Sequence, residues 1–234
     1  MKTLQKSRNH YSSLDSLLQK AILHSFLLIL SLNAFSGEKP IKSENPKWNV
    51  VQKDDEIELY DRWIDLPDGR KTRERKGVFY VNNNIEDILK LVTTADGVKT
   101  WMSGVKESND VGENMVYVLF NVPWPFKDKD LVAEINTSNI PGFQSKKVHY
   151  SAVADYLPLN EDAERLKSYE ATWTLTMIEP GRIQVSFTAF SDTPPIAPKW
   201  IQDPITAKLF KDNLLKLREL LIELDYNILN ALNQ

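Results

Sequence analysis

Histidine is the side chain best suited to move protons near neutral pH. Beyond residue 24 this 234-residue chain has one, His149. It lies between Val148 and Tyr150 in an alternating segment, where a structural or surface role fits better than catalysis. No G-x-S-x-G elbow supplies a serine partner. Ser103-Gly104-Val105-Lys106 matches S-x-x-K, but no companion motif follows it. Asp54-Asp55-Glu56 and Glu161-Asp162-Ala163-Glu164 are acidic and fall on predicted turns, which reads as solvated loop rather than calcium site. The chain has no cysteine, hence no thiolate, disulfide or cysteine metal ligand. No histidine pair has metal-ligand spacing and no glycine-rich loop could cradle phosphate. These residues imply no enzyme, no metal and no cofactor.

The informative residues are apolar instead. Pro123-Trp124-Pro125-Phe126 separates two strand-like runs, Val116 to Val122 and Leu131 to Ile135. Each proline lacks an N–H and fixes φ, so two in three residues stop a strand and hold Trp124 and Phe126 on a stiff loop. Such a loop either folds onto its own sheet or serves as a lid or bilayer-touching tip. Trp101, Trp173, Phe187 and Phe210 occupy predicted inward positions, where plain core and cavity wall both fit.

The elements that place these residues are mostly strands. Trp48 to Gln52 and Ile57 to Ile64 read as a first hairpin, and Asp68-Gly69 is a turn leading into Lys71 to Val81. Asn82-Asn83-Asn84 offers N-caps for a short helix through Ile85, Ile88, Leu89 and Val92, and a second follows around Val98 to Met102. The sheet resumes with Met115 to Val122, Asp130 to Ile135, Lys146 to Tyr156, Tyr169 to Met177 and Arg182 to Phe190. In the last two, alternation is clean: Tyr169, Ala171, Trp173, Leu175 and Met177 share one face, as do Ile183, Val185, Phe187 and Ala189. Asp203-Pro204 then reads as N-cap and N1 of the longest helix. Its stripe runs through Leu209, Phe210, Asn213, Leu214, Leu217, Leu220, Leu221 and Leu224 to Ile228 and Leu232. Such a stripe must lie against a sheet or a partner. The expected fold is α+β: a curved antiparallel sheet wrapped around one long C-terminal helix, with two short helices after the third strand.

Composition excludes other classes. With 42% hydrophobic and 26% charged residues the chain is an ordinary globular one. A net charge of −3, with no basic stripe, argues against nucleic acid as partner. Residues 1–36 differ in kind. Lys2, Lys6, Arg8 and Lys20 precede an apolar run, Ala21 to Leu32, then Ala34-Phe35-Ser36. That is the grammar of a signal peptide for export, to the periplasm or outside the cell in a bacterium, with an uncleaved anchor as the alternative. Four of the 29 basic and one of the 32 acidic residues lie there, so the remainder carries −6. Residues 37–47 read as a linker and 48–232 as the folded domain.

Over about residues 46–224 the chain resembles a START domain, the lipid-transfer module named after steroidogenic acute regulatory protein. The family's proline-rich loop followed by Arg-Asp-Phe/Tyr-Val corresponds to Pro123-Trp124-Pro125 and Lys129-Asp130-Leu131-Val132. Its Pro-x-Trp-Leu-x-Asn run corresponds to Pro198-Lys199-Trp200-Ile201-Gln202-Asp203. The resemblance implies a helix-grip fold. It also implies a cavity between sheet and helix for a lipid or other apolar ligand, lined by Trp101, Leu131, Ala133, Ile135, Trp173, Phe187 and Phe210. Trp124 and Phe126 would form its lid. It implies a monomeric, non-enzymatic carrier with transient membrane contact. Lys129 replaces the family's arginine, exchanging a fork for a point charge. Where sterol-binding members keep a buried arginine, this chain has Ile135, with Val116 and Val118 opposite, so a more apolar cavity is expected. Two alternatives stay open: an aromatase/cyclase-type enzyme of the same superfamily, and a scaffold whose pocket is filled by its own side chains.

Overall fold

The computed structural model describes residues 47–66, 69–121, 127–142, 144–191 and 199–232, with the backbone alone for 199–202 and 227–232. The expected signal, linker and lid segments, including Trp124 and Phe126, lie outside the described residues.

Ten strands form one sheet. They are β1 (Asn49–Lys53), β2 (Glu58–Asp65), β3 (Lys71–Asn82), β4 (Val105–Gly112), β5 (Met115–Phe120), β6 (Asp128–Asn139), β7 (Ser145–Ala152), β8 (Ala163–Arg165), β9 (Tyr169–Glu179) and β10 (Arg182–Ser191). The order is β1-β2-β3-β10-β9-β7-β6-β5-β4, all antiparallel, with β8 pairing in parallel beside β6. Helices α1 (Ile85–Thr93) and α2 (Ala95–Trp101) connect β3 to β4, and α3 (Lys199–Leu232) completes the chain. The fold is the expected α+β helix grip.

Local chemistry explains the short helices. Asn84 caps α1 by accepting from the Asp87 N–H at 2.8 Å, and Thr94 caps α2 by accepting from the Gly97 N–H at 3.1 Å. A Cβ on Gly97 would overlap the carbonyl oxygens of Lys90 and Leu91, so the corner between the helices needs glycine. The apolar side chains Ile88, Leu89 and Val92 of α1 are buried.

Helix α3 runs along β3 in the same direction. Asp203 bonds Arg73, Thr206 bonds Arg75, Leu214 lies over Gly77, and the Leu221 carbonyl accepts from Asn83. From residue 203 to 221 a helix rises ~27 Å, and from 73 to 83 a strand rises ~33 Å, so the two stay abreast. A Cβ on Gly77 would overlap the Leu214 Cδ1 methyl, which makes this glycine the point of closest approach. Leu209, Leu214, Leu217 and Leu221 are buried. Leu224 is 38% exposed, and the side chains of Ile228 and Leu232 lie outside the described residues.

Three sequence expectations need correction. Asp203-Pro204 does not open α3, which begins at Lys199 and carries Pro204 in its second turn. The Asp203 carboxylate is turned to Arg73 rather than to a helix end. Strand β4 was not expected at all: its sequence VKESNDVG is mostly exposed on both faces at the sheet edge, so it has no apolar alternation to read. The acidic run at 161–164 is not wholly turn, since Ala163 to Arg165 form β8 and Glu164 pairs with Lys129.

Candidate ligand-binding site

Cross-strand register arranges the concave face of the sheet in rows. In one row Gly77, Phe187, Trp173 and Val148 stand side by side on β3, β10, β9 and β7. In the next row, towards the start of α3, the same strands carry Arg75, Ala189, Ala171 and Tyr150.

The first row is filled by rings. Phe210 of α3 lies nearly parallel to Phe187 at 5.6 Å, Phe187 stacks on Trp173 at 4.0 Å, and Trp101 meets Trp173 edge-on at 5.5 Å. Trp101 is held by its indole N–H, which donates to the Leu91 carbonyl at 3.0 Å. The second row has two methyl groups in its middle. Ala171 is buried in the core, while Ala189 borders a pocket of about 480 Å3 that opens between sheet and α3. The aromatic row is its floor, and Val116, Val118 and Leu131 form an apolar wall.

The structure therefore brings Trp101, Leu131, Trp173, Phe187 and Phe210 to one pocket. It leaves Ala133 and Ile135 out: both are buried in the packed core. Ile135 is the cross-strand neighbour of Tyr150, and the larger ring, not the isoleucine, meets the pocket. Phe120, Lys129, Ser191 and Asp203 also line the pocket.

Polar groups that the sequence reading passed over also line it. Arg73 binds the Asp61 carboxylate and, through Nη2, Asp203 at 3.0 Å. Arg75 donates from Nη2 to the Thr206 hydroxyl at 2.7 Å, and its nearest carboxylate oxygen, on Asp203, is 3.8 Å away. Desolvation pulls Arg75 below its ordinary pKa, against the opposing pull of Asp203. Across the pocket, the Tyr150 hydroxyl is buried without a hydrogen-bond partner among the described residues, and Tyr169 lies beside it. Burial drives both phenols well above the ordinary tyrosine range, Tyr150 further still through Tyr169. The pocket expected to be more apolar than that of sterol-binding members thus also carries arginine and tyrosine side chains. A period-two reading of β3 would have found the arginines, since Arg73, Arg75, Gly77, Phe79 and Val81 share its inner face.

Lys129 and Asp130, adjacent in sequence, point to opposite faces. Lys129 faces the pocket and pairs with Glu164. Burial lowers its pKa, against the opposing effect of Glu164. Asp130 instead receives Arg165 through Nε and Nη2, both at 2.9 Å, with each side chain at most 2% exposed. Arg165 also donates to the carbonyls of Ala154, Leu157 and Pro158, stapling the β7–β8 connection onto the outside of the sheet. His149 faces that outer side too, with Nδ1 3.1 Å from the Thr172 hydroxyl. Among the described residues no His/Asp/Glu cluster could hold a metal, and no helix is long and apolar enough to cross a membrane.

Three solved structures share this architecture. A STAR-related lipid transfer protein fragment from Xanthomonas axonopodis aligns over 74% of this chain and 98% of its own, at 23% identity and TM-score 0.63. Human STARD10 aligns over 80% of this chain and 77% of its own, at 15% identity and TM-score 0.63. The fold is START-like. A third, human StarD13, described as a lipid transfer and protein localization domain, covers 76% of this chain and 90% of its own at 12% identity and TM-score 0.62. No family model and no curated protein matches the sequence. Of the two motifs that carried the resemblance, Lys129-Asp130-Leu131-Val132 is described, whereas Pro123-Trp124-Pro125 and the Pro198 that opens the second lie outside the described residues.

Proposed function

We propose that this START-like domain binds one apolar or amphipathic small molecule between sheet and α3, and carries it without chemical change. The observation that carries the reading is the place of Ala189: with this alanine where the neighbouring row has Phe187, the sheet leaves room for a guest above an aromatic floor. A volume of about 480 Å3 lies in the usual range for a small-ligand site. It equals roughly sixteen water volumes, which suits a single-chain or polycyclic molecule better than a two-chain lipid. The neighbours named for lipid transfer support the same class of ligand. A scaffold filled by its own side chains would not leave such a space.

A cyclase-type enzyme would need convergent groups that exchange protons near neutral pH. The pocket does bring titratable groups together, but the phenols hold their protons more tightly than usual and arginine remains charged. Carriage is therefore preferred. We extend the proposal to export of the chain after removal of residues 1–36, and to the Trp124/Phe126 loop as a lid. The chain's mass in the extracellular fraction tests the first. The rate of lipid exchange with vesicles after Trp124→Ala and Phe126→Ala tests the second.

The pocket itself is tested by Ala189→Leu. The new side chain enters the pocket, so the variant should fold normally and bind a fluorescent apolar dye at least about tenfold more weakly. Unchanged dye binding by a folded Ala189→Leu variant would sink the proposal.

A further inference from the structure

The polar end of the pocket is uneven. Two arginines on the inner face of β3 meet two carboxylates, and both carboxylates go to Arg73: Asp61 at one terminal nitrogen and Asp203, at 3.0 Å, at the other. Among the described residues Arg75 has none within hydrogen-bonding distance, because Asp203 Oδ1 lies 3.8 Å from its Nη2. Its single hydrogen bond among the described residues goes to the Thr206 hydroxyl. Yet the Arg75 side chain is only 18% exposed. A largely buried guanidinium with one neutral acceptor is under-satisfied, since it carries five N–H donors in a fixed fork. The remaining donors belong to a residue that lines the pocket. Beside it stands the alanine row, with Ala189 as its direct cross-strand neighbour and Ala171 beyond.

The geometry points to Arg75, with Thr206 beside it, as the seat of an acidic headgroup, a carboxylate or a phosphate, on a ligand whose apolar body lies along the alanine row. This rests on the binding function proposed above. A planar fork matches either acid in two-pronged fashion, where a lysine would not. The acid supplies the acceptor that Asp203 does not reach, and its charge offsets the desolvated guanidinium. The opposite wall offers the neutral phenols Tyr150 and Tyr169, and its lysine, Lys129, is already paired with Glu164.

The test uses the delipidated full-length chain and displacement of a fluorescent apolar dye by four probes: palmitate, cetyl phosphate, cetyl alcohol and hexadecane. The acids should bind about 10- to 100-fold more tightly than the alcohol, the range for hydrogen bonds to a charged group. Arg75→Met should erase that preference and leave the alcohol and hexadecane unaffected. Whichever acid binds tighter identifies the headgroup. Alcohol binding equal to the acids, or an acid preference that survives Arg75→Met, would overturn the assignment while hydrocarbon binding still upholds the pocket. Failure of all four probes to displace the dye would overturn the binding function and this inference with it. Where Arg75→Met does not fold, Arg75→Gln, which keeps hydrogen bonding but not charge, carries the same comparison.

Discussion

Two neighbouring rows of one sheet, facing one helix, do opposite things. The row of Gly77, Phe187, Trp173 and Val148 is solid: rings fill it, and the glycine lets α3 come close enough to seal it. The row of Arg75, Ala189, Ala171 and Tyr150 is hollow: all but Ala171 line the pocket. Backbone and pairing are the same in both, so side-chain volume alone separates core from pocket. Charge follows volume. The solid row is apolar, while the hollow one tolerates a guanidinium and two phenols at its walls.

The strongest way to break this contrast is Trp173→Ala. It removes a fully buried ring that stacks on Phe187 and meets Trp101, and should cost about 3–5 kcal/mol of unfolding free energy in urea. Next comes Gly77→Ala. The added methyl overlaps Leu214, which is itself buried, so about 1–3 kcal/mol should be lost, with Leu214→Ala in the same chain restoring dye binding if helix position is what suffered. If Gly77→Ala leaves stability unchanged, α3 is not pinned at the solid row.

Alkaline pH probes the hollow row. Tyr150 and Tyr169 keep their protons in the folded state to higher pH than in the unfolded chain. Above the ordinary tyrosine pKa, ~10, the folded state therefore binds more protons than the unfolded one. Their contribution is whole below that pH and declines as pH rises, by about 1.4 kcal/mol per pH unit for each tyrosine. A Tyr150→Phe, Tyr169→Phe double variant should flatten the decline in a series of urea melts between neutral and alkaline pH. A decline that is just as steep in the double variant would place its origin elsewhere. The smallest effect should come from Tyr150→Phe at neutral pH. It deletes a buried hydroxyl that has no partner among the described residues, so stability should stay level or rise by up to about 1 kcal/mol in thermal melts. A clear loss would mean that the hydroxyl is satisfied in solution.

Much of the solid row was legible beforehand. Strict alternation in β9 and β10 placed Trp173 and Phe187 on the inner face, and the leucine stripe of α3 supplied its cover. The hollow row was half legible: Ala171 and Ala189 lay on the same faces, but an alanine in an alternating strand says nothing about whether a neighbour fills the space it leaves. Ala133 and Ile135 show the converse, since a correct face did not make them pocket wall. Strand β4 was invisible because an exposed edge strand needs no apolar side chains. The start of α3 was misjudged because Asp203 looked like a cap while its carboxylate belongs to Arg73, 130 residues away.

The sequence by itself determined the class of fold, the direction of each inner face and the scarcity of groups fit for proton chemistry, because these follow from local periodicity and composition. Only the tertiary structure decided that the two small residues Ala171 and Ala189 stand side by side, that Lys129 and Asp130 serve different partners, and that the carboxylate nearest Arg75 stays 3.8 Å away. Those depend on register between strands distant in sequence and on the volume left between sheet and helix, and neither is encoded in any single segment of the chain.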